Sequence, residues 1–128
     1  MACILLLEPD VILSNIYTEV LQQAGYDVCP TFDAQKAINT ADECSPDLVI
    51  LELQLPVHNG IEFIYEYRSY TEWEKTPVIV QSFVSPNEFK STPYIWHELG
   101  IVKYFYKPHT SLQQLLAGAQ EQLTTIAV

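Results

Sequence analysis

Glu8, Asp10, Glu52, Ser82 and Lys107 are the residues of this chain whose types could combine into a chemical site. Each lies within or just past a short apolar run: "CILLL" before Glu8, "DLVILEL" around Glu52, "PVIVQS" ending in Ser82, and "VKYFYKP" carrying Lys107. A carboxylate in an apolar run is costly to bury unless it is paired or left at a wet end. Glu52, in "PDLVILELQLPVHNG" over residues 46–60, therefore calls for a cationic partner or a solvent-facing pocket. Other chemistries find less support. No Gly-x-Ser-x-Gly motif or Ser/His/Asp set is visible. The turn "LEPDVILSN" lacks the Gly-rich or Ser/Thr-rich loop that surrounds a phosphate with backbone N–H groups, and its acids would repel one, which disfavours a flavin-phosphate site. Cys3, Cys29 and Cys44 show no CxxC spacing, and His58, His97 and His109 lie far apart with no HxxxH. Reduced thiols, with Cys3 and Cys29 in the core, and loop histidines are expected rather than a zinc site.

The elements that must position these groups follow from periodicity. The 128 residues make the length of one domain, taken here as 1–128. No apolar run approaches the ~18 residues of a membrane span. "MACILLLEPD" reads as a first strand, not a signal peptide, because it lacks a basic start and soon meets Glu8 and Asp10. Six basic residues against sixteen acidic ones give a formal charge of −10, which argues against nucleic acid and anionic membranes as partners.

Five apolar runs, at 3–7, 26–30, 47–53, 77–82 and 102–108, alternate with five helix-like stretches. Asp10 can cap the first helix and Gly25 stop it, with Ile12, Ile16, Val20 and Leu13 turned inward. Asp33 can cap the second. The third offers Ile61, Ile64, Tyr65 and Arg68 at helical spacing. The fourth, short, can start at Thr92 with Pro93 in its first turn. The fifth aligns Leu112, Leu115, Leu116, Ala119 and Leu123. Such alternation predicts an α/β fold: a five-stranded parallel sheet with helices on both faces and right-handed crossovers. Several runs are apolar without alternation, as strands covered on both faces require. In such sheets the functional crevice lies at the carboxyl ends of the strands, where Glu8, Asp10, Glu52, Ser82 and Lys107 fall.

With "ILLLEPD", "GYDV", "PDLVILELQLPVHNG", "TPVIVQS" and "GIVKYFYKP" in this order, the chain resembles the receiver domain of two-component response regulators over essentially its whole length. The resemblance implies a flavodoxin-like, CheY-like doubly wound sandwich and a phosphorelay role in a bacterial cytoplasm. It also implies a phosphoacceptor aspartate at the end of the third strand, with Mg²⁺ held by acidic residues. The acceptor falls on Glu52. The acidic pair falls on Glu8 and Pro9, so one acid is missing, and Asp10 is committed if it caps the first helix. The phosphate-sensing hydroxyl and ammonium fall on Ser82 and Lys107, and the switch aromatic on Tyr104.

Both departures weaken phosphoryl transfer, which depends on in-line positioning and on cations that neutralise the phosphoryl oxygens. Pro9 removes a carboxylate that Mg²⁺ would use. Glu52 is one methylene longer than aspartate, and misplacement of about 1 Å can cost around a hundredfold in rate. A Glu52–Lys107 pair would hold the domain in one state. The expectation is a pseudo-receiver: no enzyme and no resident cofactor, binding a protein, either a histidine kinase or another signalling protein. The resemblance implies a partner face built from the fourth helix, fifth strand and fifth helix, a region that carries Tyr94, Trp96, Tyr104 and Tyr106, with Phe105 pointing the opposite way in the strand. The alternative is a working phosphoacceptor in which Asp10 replaces the missing ligand, the one reading that involves Mg²⁺. No output domain follows the fifth helix, so a stand-alone receiver or a piece of a longer protein is expected.

Overall fold

The computed structural model describes residues 1–88 and 92–127, the side chains of 92–94 and 125–127 excepted. Its strands are β1 (Cys3–Leu7), β2 (Asp27–Thr31), β3 (Leu48–Leu51), β4 (Val78–Ser82) and β5 (Ile101–Tyr106). They form one parallel sheet in the order β2-β1-β3-β4-β5, the doubly wound flavodoxin-like arrangement. The helices are α1 (Val11–Gln23), α2 (Ala34–Cys44), α3 (Gly60–Arg68), α4 (Thr92–Leu99) and α5 (Leu112–Ala127).

Two cores sandwich the sheet, and β1 shows why its run has no polar alternation. Leu5 and Leu7 join Val49, Leu51, Val80, Phe63 and Tyr67 on the face covered by α2, α3 and α4. Ile4 and Leu6 join Ile50, Ile79, Tyr17, Leu115 and Ala119 on the face covered by α1 and α5. In β5, Tyr104 packs toward the first core and Phe105 toward the second.

Local signals place the helix starts. Asp10 accepts a hydrogen bond from the Leu13 N–H, and Asp33 from that of Lys36. Asn59, unassigned from sequence, caps α3 through the Glu62 N–H at 2.9 Å. Gly25 ends the α1 segment at φ +99°. Gly60 brings α3 against the loop after β3: a Cβ there would lie 2.8 Å from the Leu53 Cα.

Four expectations need correction. The third strand ends at Leu51, so Glu52 lies just beyond it. The buried residues of α1 are Ser14, Tyr17 and Leu21, while Ile12 is 72% exposed and Ile16 also faces out. Apolar residues surround this helix, so spacing alone could not choose between adjacent stripes; the larger Tyr17–Leu21 stripe meets the sheet. In α3 the buried set is Gly60, Phe63, Ile64 and Tyr67, with Tyr65 exposed. Tyr67 stacks between Phe63 and Trp73 at centroid distances of 5.6 and 4.9 Å, a larger apolar contact than Tyr65 could make. Leu112 of α5 is also exposed, at the first turn. The Thr92 cap and the Tyr94 side chain lie outside the described residues. No helix among the described residues is long and apolar enough to cross a membrane.

Candidate functional site

At the carboxyl edge of the sheet, Glu8 follows β1, Glu52 follows β3, Ser82 ends β4 and Lys107 follows β5. All four side chains meet there. Lys107 Nζ lies 2.5 Å from Glu8 Oε1 and 2.7 Å from Glu52 Oε1. Glu8 and Glu52 are only 2% and 4% exposed. The third direction of the ammonium faces the Phe83 ring, 4.7 Å from its centroid.

The two acids are held alike. Each follows a strand and accepts the backbone N–H two residues on: Asp10 N to Glu8 Oε2 at 3.1 Å, and Gln54 N to Glu52 Oε2 at 3.0 Å. Glu52 also accepts from the Phe83 N–H at 3.3 Å and from the Ser82 hydroxyl. A carboxylate offers about four acceptor positions, and Lys107, Ser82, Gln54 and Phe83 supply four donors to this one. Phe83 and Gln54 contribute backbone or ring rather than an ionisable group, so residue type alone does not mark them.

Two acids share one ammonium, and the electrostatics reflect it. Burial pushes the Glu8 carboxyl above its ordinary range, reinforced by Glu52 and opposed by Lys107 and the Asp10 N–H. Burial works against the Lys107 charge, but hydrogen bonds to Glu52 and Glu8 outweigh it, so the ammonium holds its proton more firmly than usual.

Asp10 does not join this set; it is exposed and its carboxylate caps α1. Mg²⁺, which the resemblance implies, would need several oxygen ligands in near-octahedral array. Pro9 offers no side-chain oxygen, Asp10 is turned to the helix, and Lys107 fills the space between the two remaining acids. The residues present do not fit that ion.

A chain of contacts leaves the pocket. Ser82 Oγ accepts from the Val84 N–H at 3.0 Å, and the Val84 carbonyl accepts from the Tyr104 hydroxyl at 2.5 Å. Burial pushes the Tyr104 phenol up to about 12. Its ring stacks on Trp96, centroids 4.8 Å apart, and both rings are half-buried. Tyr106, on the same side of β5, meets His109 edge-on. His58 pairs with Glu62 at the surface.

Among the described residues, the group able to hold a metal is elsewhere: Cys3, Cys29 and Cys44, whose sulfurs all lie within 4.8 Å of one another. They come from β1, β2 and the end of α2, so no sequence spacing could announce them. All three are half-buried, Cys29 against the first core.

The response regulator receiver domain family model matches residues 4–120 of this chain. The probable transcriptional regulator ycf29 of Pyropia yezoensis is 27% identical over 105 residues, 82% of this chain and 46% of that protein. The chain thus spans about half the length of that relative. Among solved structures, CheY4 of Vibrio cholerae matches at TM-score 0.83 and 24% identity, covering 95% of this chain and 98% of that one. The CheY-like receiver domain protein of Methanospirillum hungatei JF-1 matches at TM-score 0.85 and 18% identity, covering 98% and 95%. The response regulator TrrA of Thermotoga maritima, solved in complex with Mg²⁺ and BeF, matches at TM-score 0.79 and 21% identity, covering 95% and 99%. These likenesses share the fold, and the family match extends over most of the chain. The chain belongs to the receiver domain family of two-component response regulators, whose members are signalling modules.

Proposed function

We propose that this chain is an atypical receiver, one domain over residues 1–128, that signals through protein contact and is not phosphorylated in the ordinary way. Glu52 stands at the phosphoacceptor position, Glu8 and Asp10 at the acidic positions, Ser82 and Lys107 at the phosphate-sensing positions, and Tyr104 at the switch position. The observation that carries this reading is the saturation of Glu52 by Lys107, Ser82 and two backbone N–H groups. An acceptor carboxylate needs an oxygen free for in-line attack on phosphorus, and Glu52 holds both of its oxygens in hydrogen bonds. Where a phosphoryl group would add about −1.5 to −2 of charge and three acceptors, Glu52 adds one charge already matched to Lys107.

The contact chain from Glu52 through Ser82 and Val84 to Tyr104 supports a single, fixed setting of the aromatic face. Trp96, Tyr104 and Tyr106, with Tyr94 on the same short helix as Trp96, make the face offered to a partner. Trp and Tyr are enriched among the residues on which interfaces concentrate their energy. The partner is a protein, a kinase or an effector, met in the cytoplasm.

Amide NMR during titration with Mg²⁺, then beryllofluoride, tests this. The expected spectrum is unchanged at millimolar Mg²⁺. Shifts at Glu8, Asp10, Glu52, Ser82 and Lys107 that spread to Tyr104 would overturn the reading in favour of a working Mg²⁺-dependent phosphoacceptor.

A further inference from the structure

At the opposite edge of the sheet, three thiols converge without a structural task that accounts for all of them. Cys3 opens β1, Cys29 lies in β2 on the same face, and Cys44 is the last residue of α2. The Cys3 and Cys29 sulfurs are 3.6 Å apart, and the third lies within 4.8 Å of both. A metal bound about 2.3 Å from each sulfur sets the sulfurs about 3.8 Å apart in a tetrahedral site and about 4.0 Å apart in a trigonal one. The cluster already has those dimensions to within about 1 Å.

A Cys3–Cys29 disulfide explains the cluster less well. In the strand register Cys3 faces Asp27 and Cys29 faces Leu5, so the two cysteines are offset by two residues. Strand spacings of roughly 4.8 Å between strands and 3.3 Å along them then put the Cα atoms about 8 Å apart. That exceeds the ~7 Å a disulfide spans without backbone movement. A disulfide would also leave one thiol over.

The surroundings favour a cation. The α2 helix ends at Cys44, so the negative end of its dipole points at the cluster, and no basic residue lies in its last turn. Asp47 accepts from the Cys3 N–H at 2.9 Å, and Asp27, beside Cys3 in the register, adds a further negative charge.

We infer that Cys3, Cys29 and Cys44 form a binding site for a thiophilic d¹⁰ cation at the amino edge of the sheet. Thiolates select ions such as Zn²⁺ and Cu⁺ over Mg²⁺. Monovalent copper is served by the three sulfurs; zinc takes a fourth donor, a water or a neighbouring carboxylate. The site is independent of the carboxylate pocket. The two are separated by the length of β1, about 16 Å at 3.3 Å per residue.

The test is an equilibrium titration of the reduced full chain with Zn²⁺, Cd²⁺ and Cu⁺ separately, with Mg²⁺ as the hard control. The expected result is one thiophilic ion per chain, a thiolate-to-Cd²⁺ charge-transfer absorption, and no effect of Mg²⁺. Tight Cu⁺ with weak Zn²⁺ would define a three-sulfur site; tight Zn²⁺ would define a four-donor one. Cys44→Ser should weaken binding at least tenfold while its metal-free melting curve stays close to that of the parent. In the parent chain itself, bound metal should slow alkylation of all three cysteines at least tenfold, a readout that needs no variant. Absence of saturable binding, unchanged affinity in Cys44→Ser, or alkylation indifferent to metal would each overturn the inference.

Discussion

The two edges of the sheet gather polar side chains from separate strands, yet they solve the cost of burial in opposite ways. At the carboxyl edge, two glutamates close around Lys107, and every strong donor and acceptor in the cluster has a partner of opposite character. At the amino edge, three groups of the same kind sit side by side, and burial pushes the Cys3 and Cys44 thiols up. The first edge has its acids and its ammonium paired with one another, the arrangement on which the proposed reading rests. The second has the spacing of a ligand set with no internal counter-charge. One sheet can therefore carry a closed site and an open one, and what separates them is whether the chain supplies both signs of charge.

The comparison is broken most severely at Lys107. Lys107→Met leaves Glu8 and Glu52 buried without their cation, and losing one partner of a buried pair costs about 3–5 kcal/mol. Urea denaturation of the variant should show that loss at neutral pH and a partial recovery on acidification. The sign follows from linkage: burial already pushes the Glu8 carboxyl up and the ammonium that opposed it is gone, so folded Glu8 holds its proton more tightly than unfolded Glu8 and stability rises as pH falls toward the ordinary glutamate range. A loss below about 1 kcal/mol, the level of an exposed pair, would mean the pocket is solvated rather than closed.

A smaller effect lies on the alkaline side. Burial pushes the phenols of Tyr67 and Tyr104 up to about 12 from an unfolded value of 10.0, and Lys107 is raised above 10.5. Each group binds its proton more tightly in the folded chain. Their contribution is complete below pH 10 and is lost as pH rises toward 12. Thermal melting followed from pH 8 upward should show Tm falling from about pH 10. Lys107→Met should remove part of that fall, since the ammonium is then gone.

The smallest change belongs to the other edge. Cys44→Ala removes a half-buried thiol at a helix end with no charge partner, and should alter stability by no more than about 1 kcal/mol in the absence of metal. The contrast with Lys107→Met, measured in the same denaturation experiment, gives the difference between a closed and an open cluster directly. Equal losses at the two edges would dissolve it.

What the sequence determined by itself was the layout. Caps at Asp10 and Asp33, the stop at Gly25 and five apolar runs are local signals, set by hydrogen bonds and sterics within a few residues, and they suffice for the alternation and for the parallel sheet. They also suffice to place Glu8, Glu52, Ser82 and Lys107 at strand ends on one edge. Which side of a helix is buried was not legible where apolar residues ring it. Ile12 and Tyr17, or Tyr65 and Tyr67, are equivalent until a sheet or a neighbouring aromatic is present to choose between them. The sharing of Lys107 by two acids, the N–H groups of Gln54 and Phe83 turned onto Glu52, and the meeting of Cys3, Cys29 and Cys44 were decided by tertiary structure alone. Those contacts depend on strand register and on where each turn releases its backbone N–H groups. Both are settled only when segments tens of residues apart pack together.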